Sequence, residues 1–263
     1  METLLPEPAA HLSMCSWLKV QMNAIMTGVH SKSPMMVLAG DVNDGKSFFM
    51  NLTTILRGGR DINPIALWSG RSAPWSDQLL GKECLNIDDS AAEKSYSSRE
   101  QLGTRLKEAI FSDSVTIEKR HTTSFTPKPR PVWGVMMTVN SNQQSLRVVP
   151  ALDEPGMDDK VILLRAEHAD IYMRNAHDEG ATERMNAYTA ELPAFMHWLL
   201  NDFQLPESLP EGCSLTRSGV VLYRDNFVMR ELHYESAPGR LEELIRQSLP
   251  DAEIRIDDLR GDG

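Results

Sequence analysis

The sequence lacks any apolar run near the roughly 20 residues that a membrane-spanning helix needs. Its start, Met-Glu-Thr-Leu-Leu-Pro-Glu-Pro, has an acidic residue and two prolines where a secretory signal needs a basic start and an apolar core. Cysteine is scarce: Cys15, Cys84 and Cys213 lie far apart, without C-x-x-C spacing or a His cluster, so neither a zinc site nor a disulfide framework is indicated. These absences predict a soluble cytoplasmic protein whose three cysteines are buried, reduced thiols.

Positive charge is also in short supply. The chain has 27 Lys and Arg against 37 Asp and Glu, a net charge of −10. This excludes a protein that coats nucleic acid with its whole surface, because affinity for phosphates comes from Lys and Arg. Any such contact must be local, and the richest basic stretch runs from residue 119 to 130, with Lys119, Arg120, His121, Lys128 and Arg130 and no acid. Aromatic residues make up 6% and form no base-stacking stripe, so the tryptophans are expected in the core or at interfaces.

The length of 263 residues predicts one large α/β domain with a small appendage. We expect a leading amphipathic helix in 1–30, the main domain in 31–204, and a small helical or winged-helix-like segment with an acidic tail in 205–263. Helical periodicity predicts helices over 9–29, 47–57 and 99–111 and from 182 onwards. Short apolar runs predict strands over 35–39, 65–68, 83–89, 115–119, 132–140 and 161–164. Alternating strands and helices favour a mainly parallel sheet covered on both faces.

A glycine-rich loop follows the first predicted strand. Residues 40–47 read G-x-x-x-x-G-K-S, which fixes two glycines, a lysine and a hydroxyl in register between a strand and a helix. In such a loop, from Gly40 to Gly45, backbone N–H groups face phosphate oxygens, Lys46 adds a positive charge at the β/γ phosphates, and Ser47 can bind Mg²⁺. Asp44 and Phe48 are assigned to the same nucleotide site. The motif predicts a P-loop nucleoside triphosphatase that uses ATP and Mg²⁺.

Two neighbouring carboxylates end the predicted strand 83–89. We assign Asp88 to the metal ion and Asp89 to the attacking water, because a carboxylate at the end of a neighbouring strand can hold Mg²⁺ and the next can orient a nucleophile. The alternative is a solvated pair that caps the helix beyond Ser90. Asn140 ends the most apolar strand of the chain, where its side chain would reach a γ-phosphate or the water; the alternative is a simple turn former.

Together, the phosphate loop, the segment 80–89 and the segment 132–140 with its preceding basic residues resemble the superfamily 3 helicases. These are AAA+ ATPases of small viruses, phages and plasmids, and the greatest similarity is to the helicase part of phage or plasmid primase-helicases. The resemblance covers roughly residues 30–170, and the segment from Glu191 to about Leu249 is similar to the one that comes after the motor in primase-helicases. It implies an α/β fold of AAA+ type, with a mainly parallel sheet between helices and a small, mostly helical C-terminal appendage.

The resemblance also implies roles for residues. Lys46 and Ser47 would be the Walker A pair, Asp88 and Asp89 Walker B, and Asn140 sensor 1. In the family, a basic hairpin before sensor 1 lines the central channel of a hexamer and binds single-stranded DNA. The resemblance therefore implies that Lys119, Arg120 and His121 contact the DNA. The alternative for this hairpin is a solvated basic loop without a partner.

One departure concerns the residue that acts across the subunit interface. The family usually has an arginine just before the strand that comes after sensor 1, where this chain has Asp159-Lys160. Lys160 is the expected replacement, as a point charge without the bidentate fork of arginine. Arg147 and Arg165 are the alternatives.

The leading hypothesis is an oligomeric, ATP-driven helicase or translocase on single-stranded DNA in phage or plasmid replication, within a bacterial host cell, with a primase or replication initiator as a possible partner. About 30 residues precede the P-loop strand. The chain is therefore expected to be either a motor from a longer protein or an ATPase recruited by partners. The second hypothesis is a nucleotide-dependent AAA+ switch or loader acting on a protein partner. A small-molecule kinase is the third, disfavoured by the lack of an arginine-rich lid.

Overall fold

The architecture comes from a computed structural model that describes residues 4–68, 76–88, 96–119, 123–146, 148–150, 152, 156–157, 159–168 and 181–234. The helices are α1 (Pro8–Thr27), α2 (Lys46–Leu56), α3 (Ile65–Trp68), α4 (Tyr96–Phe111), α5 (Gln143–Leu146), α6 (Ala181–His197) and α7 (Asn226–Tyr234). The strands are β1 (Met35–Gly40), β2 (Asp61–Ile62), β3 (Cys84–Asp88), β4 (Gly134–Asn140), β5 (Val161–Arg165), β6 (Ser214–Leu215) and β7 (Val221–Leu222). A 3₁₀ turn (Ser76–Leu79) precedes β3, and a π-helical turn (Trp198–Asp202) continues α6.

Five strands form one parallel sheet in the order β2-β3-β4-β1-β5. β1 lies between β4 and β5, and every residue of it is buried. Because the strands are parallel, their carboxyl ends meet at one edge of the sheet, and β1, β3 and β4 deliver residues there side by side. The predicted fold class is confirmed: an α/β, P-loop NTPase-like fold with a mainly parallel sheet between helices.

Alternate residues of the central strands feed two hydrophobic cores, one on each face of the sheet. On one face, Val37 of β1 and Met137 of β4 pack with α4 and α7. On the other face, Met36 and Met136 pack with α1, α2 and the end of α6. Burial on both faces explains why these strands read as continuous apolar runs in the sequence.

The strand predicted over 65–68 is wrong, because these residues form the helical turn α3. Asn63 and Pro64 redirect the chain: the Asn63 side chain accepts the Ile65 amide at 3.1 Å, and the Pro64 carbonyl accepts the amides of Leu67 and Trp68. The edge strand beside β3 is instead β2, which is only two residues long and ends just before this turn. The side-chain cap and the proline therefore start a helix where the apolar run suggested a strand.

The strand predicted over 115–119 is also wrong. In the described part of this segment, only Ile117 makes a strand-like contact, an isolated antiparallel bridge to Phe125. The amides of both residues bond the opposite carbonyls at 2.8 and 3.0 Å. The chain leaves the sheet here as a hairpin held by one pair of residues.

The C-terminal residues return to the main sheet. The β6–β7 hairpin lies on α1, where the Ser13 hydroxyl donates to the Val221 carbonyl at 2.6 Å and the Ser16 hydroxyl accepts the Val221 amide at 2.9 Å. Beyond β7, Arg224 bridges Leu163 on the outer side of β5 in parallel sense. Cys213, before this hairpin, is half-buried, which corrects the expectation of full burial, whereas Cys15 and Cys84 are buried. None of the described helices is both long and apolar enough to cross a bilayer.

Candidate functional site

The glycine-rich loop joins the buried strand β1 to helix α2 at the carboxyl edge of the sheet. Two of its residues have left-handed backbone, Asn43 with φ of 72° and Gly45 with φ of 84°. Gly45 is the residue before α2, so the loop turns directly into the helix amino end. The first amides of α2 have no acceptor within their own helix and point into the space that the loop surrounds.

Gly40 is a glycine because the chain after β5 passes directly against it. A Cβ at this position would lie 2.8 Å from the Ala166 carbonyl oxygen and 2.9 Å from the Ala166 Cβ. The contact is made by backbone, since the Ala166 amide donates to the Ala39 carbonyl at 2.6 Å. The loop therefore starts from a point fixed on both sides, by β4 and by the segment after β5.

Lys46, the first residue of α2, turns back over the loop. Its side chain is buried, with 8% of the residue exposed, and its ammonium donates to the carbonyls of Gly40, at 3.0 Å, and Asp41. It also donates to Oδ1 of Asn140, at 3.3 Å. Asn140 stands beside Gly40 in the register of β4 with β1. The two residues predicted to read the γ-phosphate are thus in contact.

Asp88 ends β3 beside Thr138 of β4, at the same edge of the sheet as Gly40 and Asn140. It is partly exposed, while the four residues before it in β3 are buried. The strand therefore brings this carboxylate to the surface at the edge of the sheet that carries the loop. The sequence analysis predicted that Asp88 binds a metal ion. Asp89, predicted to orient the water, lies outside the described residues.

Of the other residues assigned to the loop site, Ser47 is exposed at the first turn of α2. Phe48 is partly buried, and its ring meets Tyr188 of α6 edge-on, with centroids 5.3 Å apart. Phe48 thus fastens α2 to α6, a role that the sequence did not suggest. The side chain of Asp44 points inward under the loop, where only 5% of the residue is exposed.

A triphosphate with Mg²⁺ fits these residues. Gly40 has no room for a side chain, the α2 amino end offers amide donors, and Lys46 brings a cation to the loop. The hydroxyl of Ser47 and the carboxylate of Asp88 are the oxygen ligands that Mg²⁺ prefers. Bound there, Mg²⁺ would neutralise phosphate charge, while Lys46 and Asn140 would hold the terminal phosphate and its nucleophile.

The described part of the basic hairpin is its base. Ile117, fully buried, pairs with Phe125, and Lys119 places its ammonium 4.7 Å from the centre of the Phe125 ring. Arg120 and His121 lie outside the described residues. Phe125 itself is 36% exposed, so an aromatic face and a cation lie together at this base.

Arg130, part of the same basic stretch, has a structural role. Its guanidinium donates to the carbonyls of Glu108 and Ala109, at 3.2 and 2.6 Å, at the carboxyl end of α4. Burial lowers the pKa of this arginine to about 10. His30 bonds the neighbouring Ile110 carbonyl at 2.7 Å, so both side chains bond carbonyl groups in the last turn of α4, and the charge of Arg130 complements the negative end of the helix dipole.

Lys160 and Arg165 lie at opposite ends of β5. Lys160 immediately precedes the strand, at the amino edge of the sheet, where it bonds the Gly156 carbonyl and lies 5.0 Å from the Phe111 ring centre. It therefore cannot reach the loop of its own chain. Arg165 ends β5 near the loop and stacks on Phe227, 4.6 Å from the ring centre. Arg147, the other alternative, lies outside the described residues.

Two residues at the loop were not found by sequence reasoning. His168 places Nδ1 3.5 Å from Oδ1 of Asp44, and the Ser141 hydroxyl donates to the Asp41 carboxylate. Ser141 follows Asn140 directly, so proximity to a predicted site residue could have suggested it. His168 had no such signal, because only the pairing of β5 with β1 brings it near the loop.

No family model and no curated protein sequence matches the chain. Among solved structures, it is similar to two apo structures of the C-terminal region of NrS-1, with TM-scores of 0.56 and 0.54 and sequence identities of 10% and 9%. The matches cover 97% of this chain but only 60% and 61% of those chains, so it spans about three fifths of their length. A structure of JCV helicase matches with a TM-score of 0.41 and 14% identity, over 90% of this chain and 61% of that one. The likeness to the NrS-1 region establishes a shared fold.

Proposed function

We propose that this protein is an ATP-hydrolysing, ring-forming helicase or translocase that moves on single-stranded DNA. The main support for the proposal is the hydrogen bond from Nζ of Lys46 to Oδ1 of Asn140, at 3.3 Å. The two residues meet at the adjacent carboxyl ends of β1 and β4. A lysine on a phosphate loop and an amide on the next strand form a pair that can hold a terminal phosphate and respond to its loss. Asp88 at the same edge supports the proposal, because its carboxylate could bind the Mg²⁺ of ATP.

The opposite positions of the P-loop and Lys160 support assembly into a ring. Lys160 lies at the amino edge of the sheet and the P-loop at the carboxyl edge. In a head-to-tail arrangement, the amino edge of one subunit can face the carboxyl edge of the next, and such heterologous contacts form a ring when the rotation between subunits closes. We propose that Lys160 supplies positive charge to the γ-phosphate of the neighbouring subunit, in a hexamer.

The hairpin supports the choice of DNA as the partner. The chain has a net charge of −10, yet Lys119, Arg120 and His121 follow one another in the segment between the paired residues Ile117 and Phe125. We propose that this segment projects from each subunit. In a ring, such projections would meet in the channel, where cations and an aromatic side chain such as Phe125 suit a single strand. Replication of phage or plasmid DNA, with a primase or initiator as partner, is the setting that the family resemblance favours.

The experiment is steady-state ATP hydrolysis by an assembled preparation, with and without single-stranded DNA. We expect stimulation by DNA, and we expect the double variant Lys119→Ala/Arg120→Ala to keep basal turnover and lose the stimulation. Arg217→Ala is the matched control, because it removes an exposed positive charge from the turn between β6 and β7. Stimulation by RNA in place of DNA would show that the nucleic acid is RNA, and the proposal of a translocating ATPase would still hold.

A second candidate is a nucleotide-dependent switch or loader that acts on a protein partner, favoured by the acidic surface charge. Here ATP would change the oligomeric state while DNA would leave turnover unchanged. Size-exclusion chromatography with and without ATP, run beside the hydrolysis assay, separates the two candidates. Turnover that is blind to DNA in an assembled ring would reject the motor and leave the switch.

A further inference from the structure

The phosphate loop contains two acids in a segment that would have to bind a polyanion. Asp41 and Asp44 lie between the loop glycines, and Lys46 is the single basic residue of the motif. Like charges repel at close range. A triphosphate can therefore bind beside these carboxylates only if other groups hold them away from it or compensate their charge.

The structure shows where each carboxylate is directed. Asp41 accepts the hydroxyl of Ser141, which follows the strand β4. Asp44 is buried, and its Oδ2 accepts the Asp41 amide at 2.5 Å, which closes the loop on itself. Its other oxygen, Oδ1, faces Nδ1 of His168 at 3.5 Å. Asp41 thus bonds the segment after β4, and Asp44 bonds the loop backbone and faces the segment after β5.

His168 is held in place by the backbone before it. The amide of Ala166, two residues earlier, donates to the Ala39 carbonyl at 2.6 Å, and the Ala166 carbonyl lies against Gly40. The Glu167 amide donates to the Leu4 carbonyl at 2.9 Å. The imidazole reaches from there to Asp44, with 60% of its side chain exposed. The cationic neighbour Arg165 is engaged with Phe227 and lies 3.9 Å from Glu167. Among the described contacts of Asp44, His168 is the basic side chain.

We propose that His168 is a positioning residue for nucleotide binding, which keeps the Asp44 carboxylate engaged within the loop so that it does not turn toward a bound triphosphate. The inference rests on the proposed nucleotide site and deepens it, by adding a residue from beyond β5 to the binding of the phosphates. His168 itself does not contact the reacting atoms. It acts through Asp44, and removing it frees that carboxylate to turn toward the phosphates.

The test measures the effect of His168→Ala on MgATP affinity in two backgrounds. In the natural background, the substitution should raise the Kd about three- to tenfold, with kcat nearly unchanged. In an Asp44→Asn background, the same substitution should have little effect. Asparagine keeps an oxygen to accept the Asp41 amide but carries no charge that would repel the phosphates if its side chain turned toward them.

A merely structural role for His168 predicts something different. Without His168, the loop would then become less ordered, whichever residue occupies position 44. His168→Ala would therefore weaken binding equally in both backgrounds. That result would overturn the inference. His197→Ala is the matched control, because it removes an exposed histidine whose Nδ1 lies 3.9 Å from Asp202, far along α6 from the loop. It should leave the Kd unchanged.

Failure of the inference is distinguishable from failure of the proposed function. If the wild-type protein binds MgATP, Lys46→Ala weakens that binding and His168→Ala does not, the nucleotide site stands and the role of His168 is rejected. If the wild-type protein binds no MgATP at all, the proposed function itself fails. Thermal melts without nucleotide check that each variant is folded.

Discussion

Asn140 accepts a hydrogen bond from the ammonium of Lys46 across the carboxyl ends of two adjacent strands. The lysine comes from the loop after β1, and the asparagine is the last residue of β4. Because β1 and β4 are buried and pair in register, the backbones on either side of this contact are held at a fixed spacing. The contact therefore depends on the two side chains rather than on movement of the strands.

Asn140→Ala should separate binding from hydrolysis. Lys46 and the α2 amides remain, so MgATP should still bind, but the amide that would orient the terminal phosphate or its nucleophile is lost. We expect hydrolysis to fall about a hundredfold, as for loss of one positioned donor at a reacting centre. Titration with a fluorescent ATP analogue gives the Kd, and steady-state assays give kcat. An equal loss in both quantities would mean that Asn140 only shapes the loop.

Gly40→Ala should damage the loop through its fixed neighbour. The new methyl group would collide with the backbone of Ala166, which is hydrogen bonded to β1 and cannot turn aside. We expect a loss of about 1–3 kcal/mol in the free energy of unfolding, together with weaker nucleotide binding.

Gly28→Ala is the comparison for this glycine. Gly28 has a φ of +67° with open space around it, so alanine there costs backbone strain of about 1 kcal/mol without a collision. Urea denaturation and MgATP titration of both variants provide the test. Weaker binding in both would show that general destabilisation, rather than the loop contact, is responsible.

Much of the site can be predicted from sequence because its signals are local. The spacing from Gly40 to Ser47, the acid that ends β3 and the asparagine that ends β4 are each readable within one segment, and parallel strands bring such ends together. The strand order is not local, and neither is the role of Arg130, which depends on the position of the α4 carboxyl end. Asn63 and Pro64 turned an apolar run into a helix by one side-chain hydrogen bond, which periodicity does not detect.

Lys160 should act on the site of another subunit. Lys160→Ala should lower hydrolysis about a hundredfold or more, since a cation at the γ-phosphate contributes at least that much in related chemistry. Mixing this variant with Lys46→Ala should restore part of the activity, because a mixed ring contains sites with an intact loop from one chain and Lys160 from the next. Arg165→Ala is the comparison, and mixing that fails to restore activity would reject a trans role.

Acid should destabilise the fold through His30. Burial is the main cause that lowers its pKa from 6.5 to about 4, so the unfolded chain binds a proton more readily than the folded one. The stabilisation is fully present above about pH 6.5 and is lost as the pH falls toward 4, amounting to at most about 3 kcal/mol. Urea denaturation at several pH values should show a smaller slope over this window for His30→Gln, whereas the exposed His197→Gln should keep the wild-type slope.

The proposed function requires that the carboxyl ends of β1 and β4 form a site of ATP hydrolysis. Phosphate release from MgATP should be measured for the wild-type protein and for Lys46→Ala, each shown to be folded by its thermal melt. We expect the wild-type protein to hydrolyse ATP and Lys46→Ala to abolish this hydrolysis. Wild-type hydrolysis that survives the loss of Lys46, or no hydrolysis by an assembled wild-type protein with or without single-stranded DNA, would rule out this site.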